Sequence, residues 1–353
     1  MTLEEARAQF PVLERIAYLN AGTFGPMPRA VLDAVRAALQ RDAQEGRSGL
    51  PYFEEVMGLR DALRARLADM VSADPLQIAL TSSTTEGCNI VLKGLGLASS
   101  DEIVTTSSEH FGLLGALSVS GARIVVVEPE PDAIRAAVTP RTRLLALSQV
   151  LWTTGGVLPV RELREETGVP VLIDGAQSVG AIPVDAAGVD FLTISGQKWL
   201  CGPDSTGALV VAEPEALRVA WPSSFSQAGY DVDGTFEPRP GAARFEPGWW
   251  PASSLAGLLA ALDVRPDWAF ERAALVAEGC RSLLAPRVDL VTPEPRSTLV
   301  AFRAPGDPSE LVASLNARDV HVREIPGTGL VRVSCGWWTS DGDLERLLAA
   351  LPA

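Results

Sequence analysis

Apolar and polar positions follow two rhythms along this chain, and the rhythm changes after Val71. Before that point Val31, Val35 and Leu39 are spaced for one buried face, so Pro28–Glu45 reads as an amphipathic helix; a second helix runs from about Phe53 to Val71. A short N-terminal helix and an extended Ile16–Asn20 segment, ending at Gly22, precede them. After Val71, short apolar runs alternate with helical stretches. Ile78–Leu80, Ile103–Thr106, Arg123–Val127, Leu144–Ser148, Val169–Ile173, Phe191–Ile194 and Ala208–Val211 read as strands, with Thr84–Leu95 and a segment starting near His110 as helices. This alternation predicts an α/β fold with a mostly parallel sheet, and such sheets bind ligands beyond the carboxyl ends of their strands.

Residues 210–251 are less regular and rich in Gly, Pro, Ser and Trp. A long helix is expected over Ser253–Cys280, interrupted at Pro266. The remainder reads as strand Thr298–Phe302, helix Pro308–Arg318, strands Val320–Arg323 and Leu330–Ser334, and helix Asp341–Leu351. That predicts a large α/β domain over residues 15–260, and a small α+β domain from 261–353 joined by residues 1–14.

Composition narrows the function. Hydrophobic residues make up 47% of the 353, enough for a large core. The net charge of −14 would repel a nucleic-acid backbone or an anionic membrane surface, so neither is an expected partner. No run of about 18 uncharged apolar residues is present, and the N-terminus is polar, so a cytoplasmic protein is expected. Four scattered cysteines without a C-x-x-C pair, and only two histidines, argue against a zinc site or a disulfide framework.

Only two of the 30 basic residues are lysines, Lys93 and Lys198. Lys198 lies in Ser195-Gly196-Gln197-Lys198-Trp199, past a strand end, where desolvation lowers an amine's pKa and favours imine chemistry. Upstream, Val171-Leu172-Ile173-Asp174-Gly175-Ala176-Gln177 puts a carboxylate just past a buried strand. Such a lysine can form a Schiff base with the aldehyde of pyridoxal 5'-phosphate, and such an aspartate can keep the pyridine nitrogen protonated. A helix-capping aspartate and a surface lysine are the plainer alternatives. Lys93, with no matching set around it, reads as structural or solvated. Thr81-Ser82-Ser83-Thr84-Thr85-Glu86-Gly87 joins a strand to a helix; its hydroxyls and free N–H groups suit a phosphate, and equally an ordinary helix cap. Glu109-His110-Phe111 could stack an imidazole on a planar cofactor; Phe111 is a second stacking candidate or a core residue. Arg323 and Arg332, on neighbouring strands, match carboxylates bidentately, although most arginines in this chain read as surface charges.

Taken in order, Thr84-Thr85-Glu86-Gly87-Cys88-Asn89, Glu109-His110, Asp174-Gly175-Ala176-Gln177 and Ser195-Gly196-Gln197-Lys198 resemble the class V aminotransferases, the cysteine desulfurase-like branch of fold-type I pyridoxal phosphate enzymes, over about Tyr18 to Leu351. The resemblance implies a mostly parallel seven-stranded sheet with a small C-terminal α+β domain, and a homodimer. It implies that Lys198 carries the cofactor, Asp174 meets its nitrogen, Gln177 its phenolic oxygen and His110 its ring. Thr84, Thr85, Ser195 and Gln197 would hold the phosphate. Within the family, Leu147-Ser148-Gln149-Val150-Leu151-Trp152-Thr153-Thr154-Gly155, Gly175-Ala176-Gln177-Ser178 and Lys198-Trp199 are most similar to the cystine C–S lyases. There Arg332 and Arg323 would bind substrate carboxylates, with Gln149, Ala21 and Gly22 beside them.

Desulfurases carry a loop cysteine ahead of the arginine matching Arg332; Glu324-Ile325-Pro326-Gly327-Thr328-Gly329-Leu330 has none, which argues against a persulfide relay. Gln197 stands where the family has histidine, Gln149 where it has asparagine or histidine, and Trp249 where a threonine reaches the partner's phosphate. The expected reaction is β-elimination from cysteine or cystine, giving pyruvate, ammonia and sulfide or persulfide. Transamination, epimerisation and selenocysteine lysis on the same scaffold are alternatives, as is a non-catalytic interaction protein.

Overall fold

The computed structural model describes residues 1–352. Its centre is a seven-stranded sheet in the order Ile78–Thr81, Gly207–Val211, Phe191–Ser195, Val171–Asp174, Thr142–Ser148, Glu102–Thr106, Arg123–Val127. Only Gly207–Val211 runs against its neighbours; the other pairings are parallel. The strands read as continuous apolar runs because both faces are covered. Ile78, Leu80, Leu145, Leu147, Val171, Ile173, Leu192 and Ile194 pack into one cluster, with Val56, Leu63, Leu67 and Leu258 from the helices on that side. The intervening residues Ala79, Leu144, Ala146, Leu172, Phe191 and Leu209 face the other way, onto Ile90, Val91, Leu113 and Leu117. Alternate burial on two faces fixes the register, since a slip of one residue would exchange the two sets.

Glu109 and His110 follow the carboxyl end of Glu102–Thr106, Ser148 and Asp174 close their own strands, and Ser195 leads into Lys198. The Ile78–Thr81 strand runs parallel to Phe191–Ser195, so its exit at Ser83–Thr85 opens at the same edge. All the expected chemistry outside the C-terminal region therefore sits along one rim.

A second, antiparallel sheet of four strands, Asp289–Leu290, Leu299–Arg303, Leu330–Ser334 and Arg323–Ile325, has its own apolar cluster with the Ala269–Leu284, Pro308–Asn316 and Asp341–Ala350 helices. The expected Val320–Arg323 strand is two elements. Val320–His321 pairs with Ala17–Tyr18, whereas Arg323–Ile325 pairs with Leu330–Ser334. The long helix breaks as expected around Pro266, into Ala252–Asp263 and Ala269–Leu284. The irregular stretch before it contains a small hairpin, Gln227–Tyr230 with Phe236–Pro238.

The N-terminal segment ties the two sheets together. Leu19 donates to His321 O and accepts from Ser334 N, Gly22 N donates to Ser334 Oγ at 3.1 Å, and Gly25 N donates to Gln197 O at 2.8 Å. Gly25 must lack a side chain, because a Cβ there would overlap Lys198 O.

Candidate functional site

A cavity of about 280 Å³ opens at the rim, lined by Ser83, Thr84, Thr85, His110, Ser148, Trp152, Asp174, Gln177, Ser195, Gln197, Lys198, Arg323 and Arg332, with Gly22, Thr23, Phe24, Val150 and Ala176 closing it. The structure thus brings together eleven of the thirteen residues singled out from the sequence as site candidates. Ala21 and Gln149 are the two it leaves out. Ala21 is fully buried in the aromatic core behind the site. Gln149 opens onto a separate depression with Val157, Leu158 and Ile173, since alternation along its strand end turns it away from Ser148 and Val150. Phe111, read as a stacking or core residue, does neither: it is 78% exposed. Trp249 is outside the cavity, half-exposed against Tyr52, Phe53 and Phe225.

Ser83 caps the Thr84–Leu95 helix, accepting from Glu86 N at 3.1 Å. The N–H groups of Thr84 and Thr85 lie in the first turn and have no helical acceptor, so they and the dipole end are available to an anion. Ser195 Oγ donates to Gln197 Oε1 at 3.0 Å on the facing loop. His110 caps the next helix, with Nδ1 accepting from Gly112 N at 3.0 Å, which leaves Nε2 to carry the proton of the neutral ring. Burial holds its pKa below the ordinary histidine value, and Lys198 pushes the same way. Its ring meets Trp152 edge-on, with centroids 5.1 Å apart.

Asp174 is buried, and its Oδ1 accepts from Ala176 N at 2.9 Å. No described residue donates to Oδ2, so one carboxylate oxygen is left for a donor in the cavity. Lys198 has its pKa lowered, first by burial and then by Arg332, against the pull of Asp174. No described residue pairs with its Nζ. Gln177 donates through Nε2 to Gly22 O at 2.8 Å and accepts through Oε1 from Trp199 Nε1 at 3.0 Å. Gly22 has room for no side chain: a Cβ would stand 2.6 Å from Arg332 Nη2 and 2.9 Å from Gln177 Oε1.

Arg332 and Arg323 are direct cross-strand partners, so both guanidinium groups rise on the same face. Arg332 is buried, donates through Nη1 to Trp152 O at 2.6 Å, and leaves Nε without a partner. Burial, with Arg323 adding, lowers its pKa to about 9. No carboxylate pairs with it among the described residues.

Seven of the eighteen lining residues were not singled out as site candidates, and three of them matter most. Ser148 donates to Glu109 Oε2 at 2.5 Å and fixes the strand end beside Asp174. Trp152 supplies the carbonyl that holds Arg332. Phe24 follows from Gly22 only once the N-terminal segment is known to cross the rim. Lys93 sits on the surface with Nζ 4.8 Å from the centre of the Trp221 ring.

The donor set fits pyridoxal phosphate: an amine for an aldehyde, a half-free carboxylate for a ring N–H, an imidazole for a ring face, and a helix N-terminus with hydroxyls for a phosphate. The Aminotransferase class-V family model matches residues 17–342. Isopenicillin N epimerase of Streptomyces clavuligerus is 30% identical, over 99% of this chain and 98% of its own. A probable cysteine desulfurase of Pseudomonas aeruginosa is 31% identical, over 98% and 96%. Two structures of a cystine C–S lyase, C-DES, superpose with a TM-score of 0.90 at 28% identity, covering 97% of this chain and 98% of theirs. One holds glycine covalently linked to its pyridoxal phosphate cofactor, the other the reaction product cysteine persulfide.

Proposed function

The chain belongs to the class V aminotransferase family, with the fold-type I architecture of its pyridoxal phosphate enzymes, and we propose that within it the protein is a C–S lyase cleaving cysteine or cystine. Pyridoxal phosphate is its cofactor; when bound, it supplies an aldehyde for amines and a ring that accepts electrons from the substrate's α-carbon. Lys198 would hold it and would take the substrate's α-proton on Nζ; its lowered pKa suits a base. Asp174 Oδ2 would accept from the ring nitrogen, and His110 would pack against the ring. Thr84, Thr85, Ser195 and Gln197 hold the phosphate through hydroxyl, amide and first-turn N–H donors. Arg332 clamps the α-carboxylate, and Arg323 takes the second carboxylate of cystine.

The observation that carries this reading is the Arg332–Arg323 pair, two guanidinium groups side by side in a cavity without an acidic partner for Arg332. A substrate with two carboxylates neutralises both. No thiol lines the cavity, and all four cysteines are buried, which favours release of sulfur as sulfide or persulfide over transfer to a protein cysteine. Cystine and water would give pyruvate, ammonia and cysteine persulfide. Incubation with a panel of amino acids tests this: pyruvate with persulfide or sulfide is the expected product pair, and a keto acid retaining the substrate's carbon skeleton would mean transamination instead.

The match to isopenicillin N epimerase favours one second reading, epimerisation. It predicts α-deuterium incorporation with inversion and no pyruvate. We also propose a homodimer whose interface covers the exposed apolar side chains Phe24, Phe53, Phe111 and Trp249. No helix among the described residues is long and apolar enough to cross a membrane.

A further inference from the structure

We propose that Trp199 is a positioning residue that locks Gln177 as a hydrogen-bond donor toward the cofactor's phenolic oxygen. The sequence puts Trp199 directly after Lys198, and the turn sends the two side chains in opposite directions. Lys198 lines the cavity, whereas Trp199 is 1% exposed and packs in the aromatic core with Phe10, Trp337 and Trp338. From that core its Nε1–H reaches forward to Gln177 Oε1 at 3.0 Å.

Two contacts fix the amide's orientation. An indole N–H can only donate, so the Gln177 atom facing it must be the oxygen. A backbone carbonyl can only accept, so the atom 2.8 Å from Gly22 O must be the nitrogen. Both ends demand the same rotamer, and a flipped amide would leave the buried indole N–H unpaired beside a second donor. With Oε1 turned to the indole and one Nε2–H committed to Gly22 O, the one donor Gln177 has left for the cavity is its other Nε2–H. A donor there favours the anionic form of a phenolic oxygen. Without Trp199 the amide could turn its carbonyl to the same place and repel that charge. Trp199 thereby acts on the cofactor's protonation without touching it.

The inference rests on the cofactor assignment and on Gln177's place beside the phenolic oxygen, not on which amino acid is cleaved. The test is a double-mutant cycle on the pH titration of the bound cofactor's visible absorption band. Gln177→Ala should raise the midpoint by about one pH unit, a tenfold change in proton affinity. Trp199→Phe, which keeps an aromatic filler and removes the donor, should raise it in the same direction by less, since the Gly22 carbonyl still opposes the flip. The double variant should titrate with the Gln177→Ala protein, because the two residues act as one unit. An unmoved midpoint in Gln177→Ala would overturn the placement of Gln177, and this proposal with it. A midpoint that moves in Gln177→Ala but not in Trp199→Phe, or adds in the double variant, overturns the role of Trp199 alone. Should Trp199→Phe not fold, the cofactor-free wild-type and Gln177→Ala proteins decide. One indole N–H resonance, protected from exchange, should shift and lose protection when the Gln177 amide is removed; eight unmoved indole signals refute the lock.

Discussion

Two arginines are almost wholly buried in this protein, and their surroundings are opposite. Arg60 is ion-paired with Glu246, both side chains having no exposure; it donates to Gly248 O at 3.3 Å, and its guanidinium lies 4.1 Å from the centre of the Phe225 ring. Glu246 is shared with Arg64 at 2.8 Å and accepts from Leu80 N at 3.1 Å, so the knot pins the second long helix to the sheet edge. Arg332 is equally enclosed, yet it has one carbonyl for company and a second cation across the ladder. A buried charge with its counterion belongs to the frame. One without a counterion is held at a cost in stability, and is kept where a ligand brings the missing charge.

Changes at the two places should therefore separate stability from turnover. Lys198, a further cavity cation without an acidic partner among the described residues, gives the largest effect: Lys198→Ala should cut turnover about 10⁴-fold or more and abolish covalent cofactor attachment while leaving the melting temperature nearly unchanged. Kinetics of pyruvate release and thermal melts check both halves. Glu246→Ala should do the reverse, losing about 3–5 kcal/mol of stability in urea titrations because buried Arg60 loses its anion and Arg64 keeps only the exposed Asp61. Cofactor binding by the folded fraction should persist. Arg332→Gln should lower kcat/KM about 100-fold, close to 2.7 kcal/mol of carboxylate recognition, with stability equal or higher. If it unfolds the protein as Glu246→Ala does, the contrast between the two arginines is wrong.

Glu109 meets the same problem a third way, by keeping its proton. Burial raises its pKa to about 7, against donors from Ser148 and Thr106 and with Asp174 adding to the rise. The folded state thus binds a proton that the unfolded state has released above about pH 4.5. The stabilisation is complete below that pH and is lost as pH rises through about 7, with a slope of at most about 1.4 kcal/mol per pH unit. Urea midpoints measured across this window should fall in the wild type and stay flatter in Glu109→Gln. The smallest effect belongs to Arg323→Gln. Arg323 is exposed, so KM should rise about fivefold for cystine and hardly at all for substrates with one carboxylate.

The large sheet was legible because every strand but the edge strand Arg123–Val127 buries both faces and announces itself as an apolar run, and the rim chemistry because each motif sits where such a run stops. Lys198, Asp174, His110 and Thr84 could be placed from that rule alone. Side-chain direction past a strand end could not. Gln149 and Ser148 are neighbours in sequence, and nothing local says which one turns toward the cavity. The split after His321 was hidden for a similar reason: Val320–Arg323 looks like one strand, but its first half pairs with a segment about 300 residues away. Trp199 entered only as part of the Lys198-Trp199 resemblance, with no role of its own, because its bond to Gln177 spans two strand ends.

The scarcity of amines makes this protein easy to modify at a chosen point. Lys93 stands in solvent against an indole, while Lys198 is enclosed and, under the proposed function, would be occupied by the cofactor. An N-hydroxysuccinimide dye applied to the loaded enzyme should therefore reach the terminal amine and Lys93 alone. That offers a two-site handle for immobilisation or energy-transfer spectroscopy with Trp221 as a built-in neighbour, and a borohydride-treated digest should yield a single pyridoxylated peptide.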